Sequence, residues 1–116
     1  MARILVIDDD SDTIELLGHM VGMSGYQVDV ARSAADALAR VRANPPDAIV
    51  LDIMMQGVNG WDLFDRLRAL TGAPVTFLTA YRTGENAQRA KQLGADFVAK
   101  PVSLQTLVRQ IEKMLA

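Results

Sequence analysis

The chain has 116 residues, half of them hydrophobic, and a formal net charge of −2. This length suits one domain with its own hydrophobic core, and the slightly acidic balance does not favour binding to nucleic acid or to a membrane surface. The absence of cysteine excludes disulfides, cysteine-ligated zinc and thiol catalysis. We therefore expect one soluble, cytoplasmic domain over residues 1–116, with no signal peptide before its first strand.

The beginning of the chain predicts a buried strand, a helix and a second strand. Residues 4–7 form an unbroken apolar run, typical of a strand buried on both faces, and lead into three aspartates. A helix should follow, with Asp10 or Ser11 as its N-cap and Gly25 as its stop. Residues 27–31 alternate apolar and polar side chains, which is typical of an edge strand.

The middle of the chain contains a strand that ends on a single carboxylate. A helix capped by Ser33 should end before the two prolines that follow residue 44. Residues 48–51 are a second fully apolar run, and the next residue is Asp52. Parallel sheets bind ligands outside the carboxyl ends of their strands, so we expect Asp52 at a ligand-binding edge. Residues 53–60 are predicted to form a loop.

A third helix and a third buried strand should come next. The helix is predicted from about Trp61, with the indole at the helix surface, and the strand covers residues 75–78 and ends on Thr79. The apolar positions of this helix recur every three residues and are expected to be buried: Phe64, Leu67 and Leu70.

The last part of the chain predicts a weak helix, a short strand and a strongly amphipathic helix. Residues 85–93 offer only two alanines and one leucine for burial, so this helix should be held least firmly. Residues 97–99 form a short strand that ends on Lys100, and Ser103 caps the final helix. The apolar face of that helix is predicted to comprise Leu104, Leu107, Val108, Ile111 and Leu115.

Five alternating β/α units predict an α/β fold in which helices cover both faces of a five-stranded parallel sheet, a three-layer sandwich. Because the strands are parallel, their carboxyl ends meet at one edge of the sheet. The polar groups at four of these ends are Asp8, Asp9, Asp10, Asp52, Thr79 and Lys100. This convergence is the functional signal in the sequence.

The chemistry of these groups points to phosphoryl transfer. Two carboxylates about 4 Å apart repel by roughly 4 kcal/mol at an effective dielectric near 20, and a divalent cation such as Mg²⁺ relieves this repulsion. A lysine and a threonine hydroxyl can bind phosphoryl oxygens, and a carboxylate can attack phosphorus to form an acyl phosphate. Asp10 fits a helix cap better than a metal ligand.

In these residues the chain resembles the receiver domain of two-component response regulators, of the single-domain, chemotaxis-regulator-like kind. The resemblance covers essentially the whole chain. Each fragment is weak alone, but together and in this order they are specific: ILVIDDD, VLDIMMQGVNG, FLTA and FVAKP. The resemblance implies a flavodoxin-like fold with strand order 2-1-3-4-5.

The resemblance also implies a Mg²⁺ site. In that family the acidic pair after the first strand, here Asp8 and Asp9, holds the metal together with the phosphorylated aspartate, here Asp52. The backbone carbonyl of Met54 would complete the ligands that the protein supplies.

The resemblance further implies a phosphorylation switch. Asp52 would accept the phosphoryl group, Thr79 would be the switch hydroxyl, Lys100 would bind phosphate, and Phe97 would be the aromatic switch. The bond between Lys100 and Pro101 is expected to be cis, an option that is practical only before proline.

The chain departs from the family pattern at several positions. The loop after the phosphorylated aspartate usually contains a proline where this chain has Gln56, followed here by Gly57, which predicts a more mobile loop. Phe97 replaces the commoner tyrosine. Met54 and Tyr81 occupy the two positions that commonly tune phosphoryl lifetime, and because neither can orient water, a long-lived phosphoryl group is predicted.

Two other classes of protein compete with this interpretation. A haloacid-dehalogenase-like phosphatase would use Asp8 as nucleophile, but it would need another acidic motif beyond Lys100 and would leave Asp52 without a role. A flavodoxin-like FMN-binding module would need a phosphate-binding loop after the first strand, where three aspartates would repel the phosphate.

The expected partners follow from the resemblance. We expect a histidine kinase or phosphotransfer protein as phosphodonor and a downstream output protein or domain as receiver of the signal, without direct contact to nucleic acid or membrane. A dimer through the fourth helix, fifth strand and fifth helix is possible. The domain is expected to stand alone and to be no enzyme, although it would assist its own phosphorylation and dephosphorylation.

Overall fold

The computed structural model describes residues 1–80 and 83–116 of the chain. The strands in chain order are β1 (Arg3–Ile7), β2 (Gln27–Ala31), β3 (Ala48–Asp52), β4 (Met54–Met55), β5 (Val58–Asn59), β6 (Val75–Thr79) and β7 (Asp96–Ala99). The helices are α1 (Ser11–Met23), α2 (Ala34–Ala43), α3 (Gly60–Arg68), α4 (Gly84–Gln92) and α5 (Leu104–Leu115).

The main sheet has five parallel strands in the order β2-β1-β3-β6-β7. With the two-residue strands β4 and β5 set aside, this is the predicted 2-1-3-4-5 order of a flavodoxin-like fold. The edge position of β2 and the cis bond between Lys100 and Pro101 are also confirmed.

Each face of the sheet carries its own hydrophobic core. One core lies under α2, α3 and α4, and the other lies under α1 and α5. Successive strand residues contribute to opposite cores, as Val50 and Leu51 of β3 do, because side chains alternate along a strand. This two-sided burial explains why β1, β3 and β6 have no polar alternation in sequence.

The prediction of a loop over residues 53–60 is wrong in part. Residues of β4 and β5 pair as a short antiparallel hairpin, and α3 begins at Gly60. The Gly60 amide donates to the carbonyl of Ile53 at 3.0 Å, and a Cβ at position 60 would lie 2.5 Å from the Ile53 Cα. Only glycine allows this close approach of backbone to backbone.

Two side chains differ from the prediction in their burial. Trp61 is only 7% exposed and packs against the Phe77 ring, with ring centroids 4.7 Å apart, so it belongs to the core and not to the helix surface. Leu70 is 40% exposed because α3 ends at Arg68, before the predicted stripe is complete. Leu104, predicted on the apolar face of the last helix, is the first residue of α5 and is 39% exposed.

Helix α4 buries little surface, as predicted. Ala90 is its one buried residue among those described. The Arg89 guanidinium lies 4.8 Å from the centroid of the Trp61 ring, a cation–π contact between α4 and the start of α3. Among the described residues, no helix combines the length and apolar character needed to cross a membrane.

Candidate functional site

The carboxyl edge of the sheet brings the predicted polar groups together. Asp8 directly follows β1, Asp52 ends β3, Thr79 ends β6 and Lys100 directly follows β7. The Lys100 amide donates to the carbonyl of Thr79 at 2.7 Å, which fixes the neighbouring ends of β6 and β7.

Lys100 links two buried carboxylates. Its Nζ lies 2.7 Å from Asp8 Oδ2 and 3.2 Å from Asp52 Oδ2. Asp8 is fully buried and Asp52 is 3% exposed, whereas the lysine side chain retains 22% exposure. The ammonium group of Lys100 therefore compensates the charges of two carboxylates that are largely shielded from water.

Backbone amides hold the other carboxylate oxygens. Asp8 Oδ1 accepts from the Asp10 amide at 3.0 Å, and Asp52 Oδ1 accepts from the Met54 amide at 3.1 Å. Asp9 Oδ2 accepts from the Gln56 amide at 2.7 Å. These bonds fix the side-chain orientations, because each donor belongs to the main chain.

Asp10 is the N-cap of α1, as predicted. The hydroxyl and amide of Thr13 both donate to Asp10 Oδ2, at 2.6 and 2.9 Å. These two bonds stabilise the ionised form and lower the pKa of Asp10. Asp10 is therefore engaged with α1.

Three carboxylates form a potential metal centre. One oxygen from each of Asp8, Asp9 and Asp52 can be chosen such that all three lie within 4.8 Å of one another. An all-oxygen set of anionic donors fits a hard divalent cation, and the charge of the cation would relieve the mutual repulsion. The amide of Met54 lies beside this cluster through its bond to Asp52, while the carbonyl of Met54 remains a predicted ligand.

The electrostatics of the site agree with the predicted repulsion. Burial, followed by the charge of Asp8, raises the pKa of Asp52 from 3.8 to about 6. Burial alone would lower the pKa of Lys100, but its hydrogen bond to Asp8 and the charge of Asp52 outweigh burial and raise it. The ammonium group therefore stays charged at neutral pH, and most of Asp52 is ionised.

This raised pKa predicts a pH-dependent stability. Between pH 4 and 6 the folded chain holds a proton on Asp52 that the unfolded chain has released, so stability falls as pH rises through this window. As pH rises through this window, the unfolding free energy of the wild type should fall by roughly 2–3 kcal/mol relative to that of Asp52→Asn, at 1.36 kcal/mol per pKa unit. Urea denaturation in EDTA at several pH values measures it, and parallel pH profiles of the two proteins would contradict it.

Of the two predicted switch residues, Thr79 ends β6 at the functional edge of the sheet, whereas Phe97 lies further back along β7. Thr79 is fully buried. Phe97 is half-buried, is paired in register with Phe77, and packs against the core under α2, α3 and α4. The structure thus places Phe97 outside the acidic cluster, two residues before the end of β7. Their roles as switches remain predictions.

The hairpin forms one wall of an open cavity next to the site. Its volume is about 610 Å³, and its walls include Met54, Trp61 and Asn86. Met54 is exposed here, and its influence on phosphoryl lifetime stays a prediction. Tyr81, the other residue in that prediction, lies outside the described residues.

Sequence reasoning missed the contact between Gln56 and Asp9. A backbone amide leaves no residue-type signature, so only the absence of proline at position 56 could have pointed to it. Arg32 was also missed; its Nη2 lies 3.4 Å from the Asp9 carbonyl at the rim of the site.

Comparison with known proteins assigns the sequence to one family. The family model described as the response regulator receiver domain matches residues 4–112. The transcriptional regulatory protein PrrA of Mycobacterium tuberculosis is 37% identical over 115 residues, which are 97% of this chain and 49% of that protein. The DNA-binding response regulator MtrA of Mycolicibacterium smegmatis is 36% identical, over 97% of this chain and 50% of that protein. The chain thus spans about half the length of these curated relatives.

Solved structures show the same likeness in three dimensions. The chemotaxis protein CheY4 of Vibrio cholerae superposes with a TM-score of 0.92 at 27% identity, and the match covers 99% of each chain. NtrX of Brucella abortus superposes with a TM-score of 0.91 at 31% identity, over 98% of this chain and 27% of that one. The match therefore extends over all five β/α units.

Proposed function

Because this chain belongs to the receiver domain family of two-component response regulators, we propose that residues 1–116 form a phosphoacceptor domain that receives a phosphoryl group on Asp52. The donor is a histidine kinase or a phosphotransfer protein. The observation that carries this proposal is the pairing of Lys100 with two buried carboxylates, Asp8 and Asp52, at the carboxyl edge of the sheet.

The proposed transfer is a displacement at phosphorus. An Asp52 carboxylate oxygen forms the new bond to phosphorus, the bond from phosphorus to the donor nitrogen breaks, and the released imidazole keeps the electron pair and takes a proton from solvent. The Lys100 ammonium group gives up part of its contact with Asp52 and binds one phosphoryl oxygen. The Thr79 hydroxyl donates a hydrogen bond to a second phosphoryl oxygen. Mg²⁺, held by Asp8, Asp9, Asp52 and the Met54 carbonyl, would supply neutralisation of the phosphoryl charge.

The proposed output is a change of the surface formed by α4, β7 and α5. Movement of the Thr79 hydroxyl toward the phosphoryl group opens space next to β7, into which the half-buried Phe97 can turn. Helix α4 is the element most easily displaced, because Ala90 is its one buried residue among those described. This surface would contact a downstream output protein or domain in the cytoplasm, or a second copy of the chain, and would not contact nucleic acid itself.

Hydrogen exchange measures this switching directly. On phosphorylation, amide exchange should change most within residues 84–99, because α4 has one buried residue among those described and every residue of β7 is only partly buried. Asp52→Asn treated with the same phosphodonor serves as the control and should show no change. A uniform response along the chain, or one confined to α1 and α2, would contradict the proposed output surface.

Mass spectrometry after treatment with acetyl phosphate and Mg²⁺ tests the phosphoacceptor role. A receiver domain gains one phosphoryl group on the peptide that contains Asp52. Modification of Asp8 would support the phosphatase alternative, and no modification at either residue would favour a ligand-binding module.

A further inference from the structure

The Gln56 amide makes a short hydrogen bond to a residue of the acidic cluster. It donates to Asp9 Oδ2 at 2.7 Å across 47 positions of sequence. Hydrogen bonds to an ionised carboxylate are shorter and stronger than neutral ones. The bond therefore ties the side chain of Asp9 to the hairpin of β4 and β5.

The geometry of the hairpin turn leaves this amide available. Gln56 and Gly57 are the two residues between the paired strands, and Gly57 has φ of +72°. Because no described non-glycine residue has positive φ, Gln56 and Gly57 have the combination of φ signs that a type II turn requires. In such a turn the internal hydrogen bond joins the residues before and after the central pair, so the first central amide can donate elsewhere.

The hairpin that carries this amide is anchored at both ends. Before the turn, Met55 is buried; after the turn, the Gly60 amide bonds to Ile53 and the side chain of Asn59 accepts from the Trp61 amide at 2.9 Å. These contacts fix the position of the turn relative to β3. They argue against the mobility predicted for this segment from Gln56 and Gly57.

We infer that Gln56 is a positioning residue of the metal centre, and this inference rests on the proposed Mg²⁺ site. Its amide occupies Asp9 Oδ2, which would leave Oδ1 as the oxygen that Asp9 offers to a cation shared with Asp8 and Asp52. A carboxylate held in this way binds a cation without first losing the freedom of its side chain, and outer partners of this kind commonly change metal affinity by 10- to 100-fold. This positioning of Asp9 depends on the main-chain N–H of Gln56 and not on the glutamine side chain.

Two substitutions at position 56 separate the amide from the side chain. Gln56→Pro removes the N–H, and proline fits the first central position of a type II turn, where it follows a strand residue in extended conformation. Gln56→Ala removes the side chain and keeps the N–H. We expect Gln56→Pro to weaken Mg²⁺ binding about 10-fold and Gln56→Ala to bind as the wild type does. Calorimetric titration with MgCl₂ measures the affinities.

The outcomes distinguish this inference from the proposed function. If wild type and Gln56→Pro bind Mg²⁺ equally well, or if Gln56→Ala is weakened as much as Gln56→Pro, the positioning role is wrong while the receiver function stands. If the wild type binds no Mg²⁺, both proposals fail.

A measurement on the wild-type chain covers the case in which Gln56→Pro does not fold. In NMR spectra with and without Mg²⁺, the Gln56 amide proton should resonate downfield and exchange slowly, and Asp9→Ala should abolish both features. An amide at position 56 that exchanges as rapidly as an exposed loop amide in the Mg²⁺-bound wild type would overturn the inference.

Discussion

Replacing Asp52 by asparagine is expected to abolish phosphorylation and to leave the fold intact. Asparagine keeps an oxygen that can accept from the Met54 amide, so the local geometry survives. It cannot form an acyl phosphate, because the amide nitrogen is no nucleophile toward phosphorus. Lys100 remains paired with Asp8, and the removal of one buried negative charge relieves the repulsion that raises the pKa of Asp52.

Intact-mass analysis after treatment with acetyl phosphate and Mg²⁺ measures this loss, and circular dichroism checks the fold. Asp62→Asn, an exposed aspartate in the first turn of α3, is the matched control and should be phosphorylated as fully as the wild type. A full-strength adduct on Asp52→Asn would place the phosphoacceptor at another residue, with Asp8 as the first candidate.

The sheet and its functional edge were predictable because their signals lie in local sequence. Runs of apolar residues such as residues 48–51 predict strands buried on both faces, and parallel strands bring their carboxyl ends to one edge. This is why Asp8 and Lys100, which lie 92 positions apart, could be expected to meet, and their side chains are 2.7 Å apart.

Other features depend on tertiary contacts that local patterns do not encode. The hairpin of β4 and β5 has only two residues per strand, too few for an alternating pattern. Trp61 is buried because Phe77 of another element packs against it, and Leu70 is exposed because α3 ends before its third turn would bury that position. The bond from Gln56 to Asp9 uses a main-chain donor, which every residue except proline possesses.

Lys100→Met should destabilise the metal-free fold by about 3 kcal/mol at neutral pH. The substitution keeps the length and apolar stem of the side chain but leaves Asp8 and Asp52 buried without their cation, and breaking a buried ion pair from one side costs roughly 3–5 kcal/mol. Without the ammonium group the pKa of Asp52 should rise further, so the loss should shrink as pH falls and this carboxyl takes up a proton. Urea denaturation in EDTA at pH 7.5 and pH 5 measures both effects.

Two further variants test whether the uncompensated carboxylate charges cause the loss of stability in Lys100→Met. Lys113→Met breaks the pair between Lys113 Nζ and Asp96 Oδ1, which are 3.2 Å apart, but the lysine side chain is 65% exposed, so the cost should stay below about 1 kcal/mol. Adding Asp52→Asn to Lys100→Met removes one of the two uncompensated charges and should restore part of the lost stability. If Lys100→Met costs no more than Lys113→Met, or if Asp52→Asn makes the loss larger, then Lys100 does not balance the buried carboxylates, and the electrostatic basis of the phosphoacceptor site must lie in other groups.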